Sequence, residues 1–208
     1  MAKPHTQGGF SVSAVVKKFP IYRESTTRLY MPRYFGEAKF GSAKRMKVPP
    51  GDTINVPFQG ALRENQVPVV ETYISHVRKN EVMGDGGLLE LPCAYGKTTL
   101  SLYICSELKV KTLVIVHKEF LLNQWIERIH QFLPTARVGR IQGTVIDIEN
   151  KDIVIGMLQS LSMKDYPDGT FSSFGLTIID EVHHISSEVF SCAPVSYTHL
   201  TLPTILLV

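Results

Sequence analysis

The sequence has little that would place the chain outside the cell or in a membrane. It has three cysteines (Cys93, Cys105 and Cys192), an odd number without metal-ligand spacing, which argues against a disulfide framework. No apolar run approaches the roughly 20 residues that a membrane helix needs. The first residues also lack the apolar core of a signal peptide. We therefore expect a soluble protein in a reducing intracellular compartment.

Positive charge is concentrated at the start of the chain. Residues 1–60 contain ten Lys and Arg against three acidic residues, whereas the whole chain of 208 residues has a net charge of +3. Prolines and aromatic residues lie between the basic residues, as in residues 30–36, and we predict a small β-rich or irregular module. Such a segment can contact a phosphate backbone, although a solvated surface explains the charge equally well.

From residue 61 to residue 193, apolar runs of strand length alternate with helical patterns. The predicted strands cover residues 88–91, 112–116, 138–142, 152–156 and 176–179. The predicted helices cover residues 61–79, 98–107, 119–132 and 157–161. This alternation predicts an α/β domain with a parallel sheet that is covered by helices on both faces.

The strongest chemical signal is the segment 93–98, Cys-Ala-Tyr-Gly-Lys-Thr, between a predicted strand and a predicted helix. Backbone N–H groups of such a loop point at phosphate oxygens, at the positive end of the helix that follows. Lys97 is placed to reach the β- and γ-phosphates, and the Thr98 hydroxyl to ligate Mg²⁺. Leu91 stands where the strict motif has its first glycine.

A pair of acidic residues, Asp180 and Glu181, follows the apolar strand 176–179. A carboxylate at the carboxyl end of a buried parallel strand lies at the crevice where nucleotides bind in such sheets. Asp180 can hold Mg²⁺, and Glu181 can orient and deprotonate an attacking water. Together with the loop at residues 93–98, this pair predicts a nucleotide-hydrolysing site.

These motifs occur in an order that resembles superfamily two helicases and translocases with a DExH box, over about 130 residues. The resemblance implies an incomplete RecA-like P-loop domain that uses ATP and Mg²⁺. It implies catalytic roles for Lys97 and Glu181, and Mg²⁺ held by Thr98 and Asp180. The residues that it implies in nucleotide binding are Arg63, Gln66 (on the adenine edge), Cys93, Ala94, Tyr95, Gly96, Lys97, Thr98, Thr99 and Asp180.

The same resemblance implies contacts with a nucleic-acid strand and a residue that couples the two sites. The implied strand contacts are Lys118, Gln124, Gln142, Gly143, Gln159 and Ser160. His183 is the last residue of the DExH box, Asp180 to His183, and is implied to couple the nucleotide state to the nucleic-acid site.

Residues 116–125 and 30–36 are similar to helicases of large DNA viruses and to the branch of repair and transcription translocases. We therefore expect an ATP-dependent DNA helicase or duplex translocase of the cytoplasm, nucleus or viral factory. Its partner is duplex or single-stranded DNA, with RNA as the alternative. We expect the second RecA-like domain to be missing from this chain, so that the fragment binds Mg-ATP weakly and hydrolyses it negligibly.

Two residues near the motifs have other interpretations. Ala94 stands where the family has glycine, and its methyl group is tolerated if φ stays negative or else weakens ATP binding. We expect a lower nucleotide affinity than that of an Ala94→Gly protein. Trp125 has helical spacing with Leu121, Leu122 and Ile129 and is interpreted as a core residue.

The segment 194–208 is predicted to be non-native. The codons GTC TCT TAT ACA CAT CTG ACG CTG CCG ACG encode residues 195–204 without a mismatch, and they spell a transposase-end adapter of sequencing libraries. Pro194 fits the preceding adapter bases, residues 205–207 fit a barcode, and Val208 precedes a stop codon in the resumed adapter. We therefore exclude this tail from the predicted domain.

Other classes of function stay open at this stage. A P-loop kinase or another nucleotide-dependent transferase would need an acceptor-binding lid, and the ordered strand-contact motifs argue against it. A non-enzymatic nucleic-acid-binding module would use the basic residues 1–60. Within the motor class, a restriction-type translocase and an RNA helicase are the alternatives.

Overall fold

A computed structural model of the protein describes residues 22–31, 33–41, 44, 50–79, 86–167, 169–182 and 204–207. The chain forms two compact units, Met1–Met46 and Lys47–Val208. The division therefore lies after Met46, whereas the sequence suggested a boundary after residue 60. His183 and most of the predicted tail lie outside the described residues.

The described part of the first unit contains a short strand pair and one helix. Strand β1 (Arg23–Glu24) pairs with β2 (Leu29–Tyr30) in antiparallel orientation. A turn joins them, in which the Arg28 N–H donates to the Ser25 hydroxyl at 3.0 Å. Helix α1 (Arg33–Phe40) follows. The sequence predicted a β-rich or irregular module and did not predict this helix.

A seven-stranded sheet forms the second unit. Its strands are β3 (Gly87–Leu89), β4 (Thr112–Val116), β5 (Val138–Gln142), β6 (Val145–Ile146), β7 (Ile153–Met157), β8 (Leu176–Ile179) and β9 (Thr204–Leu207). The order across the sheet is β3-β9-β8-β4-β7-β5-β6. All neighbours pair in parallel except β5 and β6, which form an antiparallel pair. The predicted parallel α/β architecture is confirmed.

Four helices accompany this sheet. They are α2 (Val67–Lys79), α3 (Lys97–Leu108), α4 (Glu119–Phe132) and α5 (Leu158–Ser162). Helix α2 begins later than predicted, because residues 64–66 form a turn. No helix among the described residues is long and apolar enough to cross a membrane.

Alternate residues of the central strands pack into two hydrophobic cores, one on each face of the sheet. In β4, Val114 and Val116 pack with residues of α2, α3 and α4, whereas Leu113 and Ile115 pack with α5 and Phe174. This alternation follows from the two-residue period of a strand, and burial of both faces explains why β4 is apolar after Thr112.

Residues 51–56 are joined to the second unit by backbone hydrogen bonds. The Asp52 N–H donates to the Ser173 carbonyl at 2.7 Å, and the Ile54 N–H donates to the Lys109 carbonyl at 2.9 Å. Ile54 and Val56 are buried in the core on the side of α2 and α3. These bonds explain why residues 51–56 belong to this unit.

Strand β9 lies inside the sheet, between β3 and β8, with Ile205 paired to Gly87 on one side and to Ile178 on the other. Its Ile205 and Leu207 side chains are buried. Apolar residues of high strand propensity suit such an interior position. The adapter origin of residues 194–208 stays a prediction, which the nucleotide sequence behind Ala193 tests.

An ion pair joins the beginnings of β5 and β7. The Asp152 carboxylate accepts hydrogen bonds from the Arg137 backbone N–H (2.8 Å) and from its guanidinium (2.7 and 2.9 Å). The Asp152 side chain is only 7% exposed. The Arg137 hydrogen bonds hold the pKa of Asp152 below its ordinary value. The charged form of Asp152 therefore stabilises the fold.

We expect Asp152→Asn to lower the free energy of unfolding at pH 7 by about 1–3 kcal/mol, because it weakens charge-assisted hydrogen bonds. Because the folded-state pKa is lowered, the contribution of Asp152 is complete above its ordinary pKa of about 3.9 and is lost as the pH falls through the folded value. Urea unfolding at pH 7 and pH 3 would measure this, and a difference between the two proteins that stays constant with pH would contradict it.

Candidate nucleotide-binding site and nucleic-acid interface

The segment between β3 and α3 is the one that the sequence predicts to bind phosphate, and it is called the phosphate loop below. The Tyr95 N–H donates to the Pro92 carbonyl at 3.2 Å, which closes a turn, and Gly96 then takes a left-handed conformation (φ 92°) at the beginning of α3. No side-chain hydrogen bond from the described residues caps this end of α3. The first amide groups of the helix can therefore bind an anion, which the helix dipole attracts.

Residues ahead of α2 brace this loop. The Gln66 amide, which is 3% exposed, donates from Nε2 to the Tyr95 carbonyl at 2.8 Å and accepts the Arg63 backbone N–H at 2.9 Å. The Arg63 guanidinium donates to the Ala94 and Tyr95 carbonyls. The Tyr95 hydroxyl donates to the Asn65 carbonyl at 2.6 Å. Arg63 and Gln66 were predicted to bind the nucleotide, and their bonds to the loop were not predicted.

The positions of Gln66 and Arg63 against the loop explain why residue 96 is glycine. A Cβ atom on Gly96 would lie 2.6 Å from Gln66 Nε2 and 3.1 Å from Arg63 Nη2. A side chain there would separate Gln66 and Arg63 from the loop. Its positive φ would also strain any residue with a Cβ.

Ala94 has a left-handed backbone conformation, with φ of 63°. A residue with a Cβ costs about 1–2 kcal/mol in this region relative to the right-handed one, whereas glycine does not. The condition under which we expected the Ala94 methyl group to be tolerated, a negative φ, is therefore not met. The residue is exposed, so the strain is in the backbone rather than in packing.

Asp180 follows β8 at the carboxyl edge of the sheet. Its backbone N–H donates to the Ile115 carbonyl at 3.0 Å, which continues the pairing of β8 with β4. Burial raises the pKa of Asp180, and the Trp125 hydrogen bond and the Lys97 charge partly oppose this rise. Lys97 and Asp180 thus lie close enough to interact, although they are far apart in the sequence.

Trp125 is a buried core residue, as predicted, but it also contacts the candidate site. Its indole Nε1 donates to Asp180 Oδ2 at 2.8 Å. A buried tryptophan N–H normally finds an acceptor, and this requirement was the available signal in the sequence. It could not indicate which acceptor the fold would supply.

Glu181 has a positive φ of 54°. The conformation is unfavourable for a residue with a Cβ, and such strained residues cluster at functional sites. It turns the backbone immediately after Asp180, so the two carboxylates do not continue the alternation of β8. The coupling role predicted for His183 falls on a residue outside the described part of the chain.

The segments predicted to contact a nucleic-acid strand meet at the carboxyl ends of β4, β5 and β7. The Gly143 N–H donates to the Ser160 hydroxyl at 2.9 Å, and Gln159 Nε2 donates to the His117 carbonyl at 2.8 Å. Lys164 Nζ donates to the Gly143 carbonyl, a contact that the sequence analysis missed. Segments from three parts of the sequence therefore form one surface.

The other residues predicted to contact nucleic acid lie around the beginning of α4. Gln142 Nε2 donates to Glu119 Oε1 at 3.2 Å. Lys118 is exposed, with its Nζ 5.9 Å from the centre of the exposed Phe120 ring. Gln124 is exposed on the second turn of α4. The surface thus offers a cation and polar groups to a partner.

A cavity of about 430 Å³ lies at the opposite edge of the sheet. Lys111 and the Arg137–Asp152 ion pair line it. The Lys111 ammonium donates to the Ile148 carbonyl at 2.8 Å, and the Arg137 guanidinium donates to the Asp152 carboxylate. These charges are used within the fold, and the candidate nucleotide residues lie at the other edge.

A family model described as "Type III restriction enzyme, res subunit" matches residues 59–202. The match covers more than half of the chain and includes every candidate site residue from Arg63 to His183. It also includes residues 194–202 of the predicted tail.

Curated relatives include viral and archaeal proteins. The chain is 35% identical over 175 residues to the "Putative ATP-dependent RNA helicase L396" of Acanthamoeba polyphaga mimivirus, which covers 83% of this chain and 33% of that protein. It is 34% identical over 130 residues to the "DNA 3'-5' translocase XPB2" of Sulfurisphaera tokodaii, which covers 62% of this chain and 27% of the relative. The chain thus spans a third or less of the length of these relatives.

The fold is similar to that of a solved structure described as the Sulfolobus solfataricus SWI2/SNF2 ATPase core in complex with dsDNA. The TM-score is 0.56 at 18% identity, and the alignment covers 78% of this chain and 34% of that one. At this identity the likeness shows the fold alone, a partial RecA-like helicase core. By the family match and the sequence relatives, the chain belongs to the helicase-domain family described as "Type III restriction enzyme, res subunit".

Proposed function

We propose that this chain is the ATP-binding part of the first motor domain of a DNA helicase or duplex translocase of the DExH class. The observation that carries the proposal is that Lys97 begins α3 after β3 and the half-buried Asp180 follows β8, in a sheet where these strands run parallel. Both residues therefore lie at the carboxyl edge of the sheet, where the Lys97 charge opposes the rise in the pKa of Asp180. A cation on an uncapped helix N-terminus, at the same edge as a half-buried carboxylate, suits a nucleoside triphosphate with its metal ion.

The phosphates would bind at the first turn of α3. Its backbone N–H groups and the Lys97 ammonium donate hydrogen bonds to phosphate oxygens. Cys93 to Tyr95 form the loop that surrounds them, and Thr99 continues the first turn beside Thr98. Arg63 and Gln66 hold that loop in position through the Tyr95 carbonyl.

The donors present fit Mg²⁺. No group of three or more His, Cys, Asp or Glu side chains among the described residues could hold a metal ion by itself. That suits Mg²⁺, which is commonly held by one or two protein oxygens together with substrate phosphates, and Thr98 and Asp180 would be those protein ligands. Bound Mg²⁺ would neutralise charge on the phosphates, while Glu181 orients and deprotonates the attacking water.

Gln66 can hydrogen-bond to adenine only through the amide positions that its bonds to Tyr95 and Arg63 do not use. Nε2 has a second hydrogen, and Oε1 has a second lone pair, beyond the bonds to Tyr95 and Arg63. The Gln66 amide would then contact the adenine base and the phosphate loop at the same time. If Gln66 binds adenine as predicted, base binding is therefore coupled to the position of the phosphate loop.

The surface formed by residues 117–124, 142–143 and 159–164 would bind the nucleic acid. Lys118 would contact phosphate, and Gln124, Gln142, Gly143, Gln159 and Ser160 would supply polar contacts to the backbone. Such contacts fix the position of a strand without reading its sequence, which suits a motor that moves along many sequences.

DNA is our first choice of partner, and RNA is the second candidate. One relative is named a DNA translocase and others are named putative RNA helicases. We further propose that the 208 residues bind Mg-ATP weakly and turn it over negligibly. The arginines that stabilise the transferred charge are expected from a second RecA-like domain outside this chain, and one such arginine can contribute about 10³–10⁵ in rate.

We expect Lys97→Met to weaken Mg-ATP binding by the purified chain by about 10- to 100-fold, because a charge-assisted hydrogen bond to phosphate is lost. Isothermal titration calorimetry of the chain measures it. The matched control is Lys151→Met, which removes the same charge at the opposite edge of the sheet. Equal affinities of the unmodified chain and Lys97→Met, or equal losses in both variants, would refute the proposed site.

We expect Ala94→Gly to bind Mg-ATP more tightly than the unmodified chain, because glycine adopts the left-handed conformation without strain. The gain cannot exceed the strain that is relieved, about 1–2 kcal/mol, which is about 5- to 30-fold in affinity. Parallel ATP titrations of the two proteins give the ratio. Equal or lower affinity of Ala94→Gly would show that the methyl group does no harm.

We expect Lys118→Ala to weaken nucleic-acid binding on all sequences and to reduce the slope of log affinity against log salt by about one. Fluorescence anisotropy with DNA and RNA duplexes of one sequence, from 50 to 200 mM salt, also ranks the two candidate partners. Lys151→Ala serves as the charge-matched control. An unchanged slope in Lys118→Ala would exclude a phosphate contact at this residue.

A further inference from the structure

The chain contains one tryptophan, Trp125, and it is nearly fully buried (1% exposed). It lies on α4 and packs in the core formed with α2 and α3. Packing of a large aromatic ring would account for its burial. The indole N–H is the group that packing does not require.

That N–H donates to Asp180 Oδ2 at 2.8 Å. A carboxylate has two oxygens in one plane, so fixing one oxygen restricts rotation of the group and sets the direction of the other. Ligands of metal ions are commonly oriented by such hydrogen bonds from neighbouring side chains. Asp180 is half-buried and comes directly after a strand, and its backbone is already held by the bond to Ile115.

We infer that Trp125 is a positioning residue, whose indole N–H holds Oδ2 of Asp180 so that Oδ1 is presented to the cation of a bound Mg-nucleotide. This role rests on the proposed function, because it requires Asp180 to be a cation ligand. It adds a residue of α4 to a proposed cation site whose ligands, Thr98 and Asp180, come from α3 and the end of β8. It also gives α4, which begins beside Lys118 at the candidate nucleic-acid surface, a direct bond to the ATP site.

The test removes the N–H while keeping the shape of the ring. Replacement of Trp125 by 3-benzothienylalanine substitutes sulfur for the N–H, and Trp125→Phe is the variant made from standard amino acids. Binding of a fluorescent ATP analogue to the 208-residue chain is measured at increasing Mg²⁺ and, separately, in EDTA. We expect the Mg²⁺ concentration for half-maximal enhancement of binding to rise at least about tenfold, with binding in EDTA unchanged.

A purely structural role for Trp125 predicts a different result. Damage to the core would weaken nucleotide binding equally with Mg²⁺ and in EDTA. Phe174→Leu is the matched control, since Phe174 is fully buried in the core on the other face of the sheet. It should lower the melting temperature and leave the Mg²⁺ dependence unchanged.

The unmodified chain supplies a second measurement that needs no variant of Trp125. Because Trp125 is the only tryptophan, its emission should change when Mg²⁺ joins the bound nucleotide, and Asp180→Ala should abolish that change. Unaltered Mg²⁺ dependence in the benzothienylalanine protein would overturn the positioning role and leave the proposed function standing. Absence of Mg²⁺-dependent nucleotide binding in the unmodified chain would overturn the proposed function and this role with it.

Discussion

The parallel register of β4 with its two neighbours is the constraint on which the rest of the structure depends. Thr112 pairs with Leu176 of β8 on one side and with Ile153 of β7 on the other, so the three strands begin at one level. Their carboxyl ends therefore meet at one edge. A shift of one residue would exchange the faces of a strand, and the two separate hydrophobic cores oppose such a shift.

Burial and backbone strain coincide at the candidate ATP site. Burial raises the pKa of Asp180, and Ala94 and Glu181 both have positive φ. Such features reduce stability and persist when surrounding contacts hold them in place. The Arg63 and Gln66 hydrogen bonds do so for the phosphate loop, and the Trp125 hydrogen bond does so for the Asp180 carboxylate. The same contacts that hold the site together also prepare it for a ligand.

Sequence periodicity predicted the elements that bury whole faces. Strand β4 and helix α4 have the predicted bounds, because apolar runs and helical spacing reflect burial directly. Helix α1 was missed, since those of its side chains that the structure describes are largely exposed and its sequence carries no clear apolar pattern. Strand β6 was missed because two exposed residues carry too little pattern to predict a strand.

The sequence by itself determined the chemical types of the candidate site: a Gly-Lys-Thr loop, an Asp-Glu pair after an apolar strand, and their order along the chain. Only the tertiary structure decided which groups touch. Trp125 and Asp180 are 55 residues apart, and Gln66 and Tyr95 are 29 residues apart. Periodicity records which side of its own element a residue occupies, whereas a hydrogen bond between two elements depends on how the sheet brings their ends together.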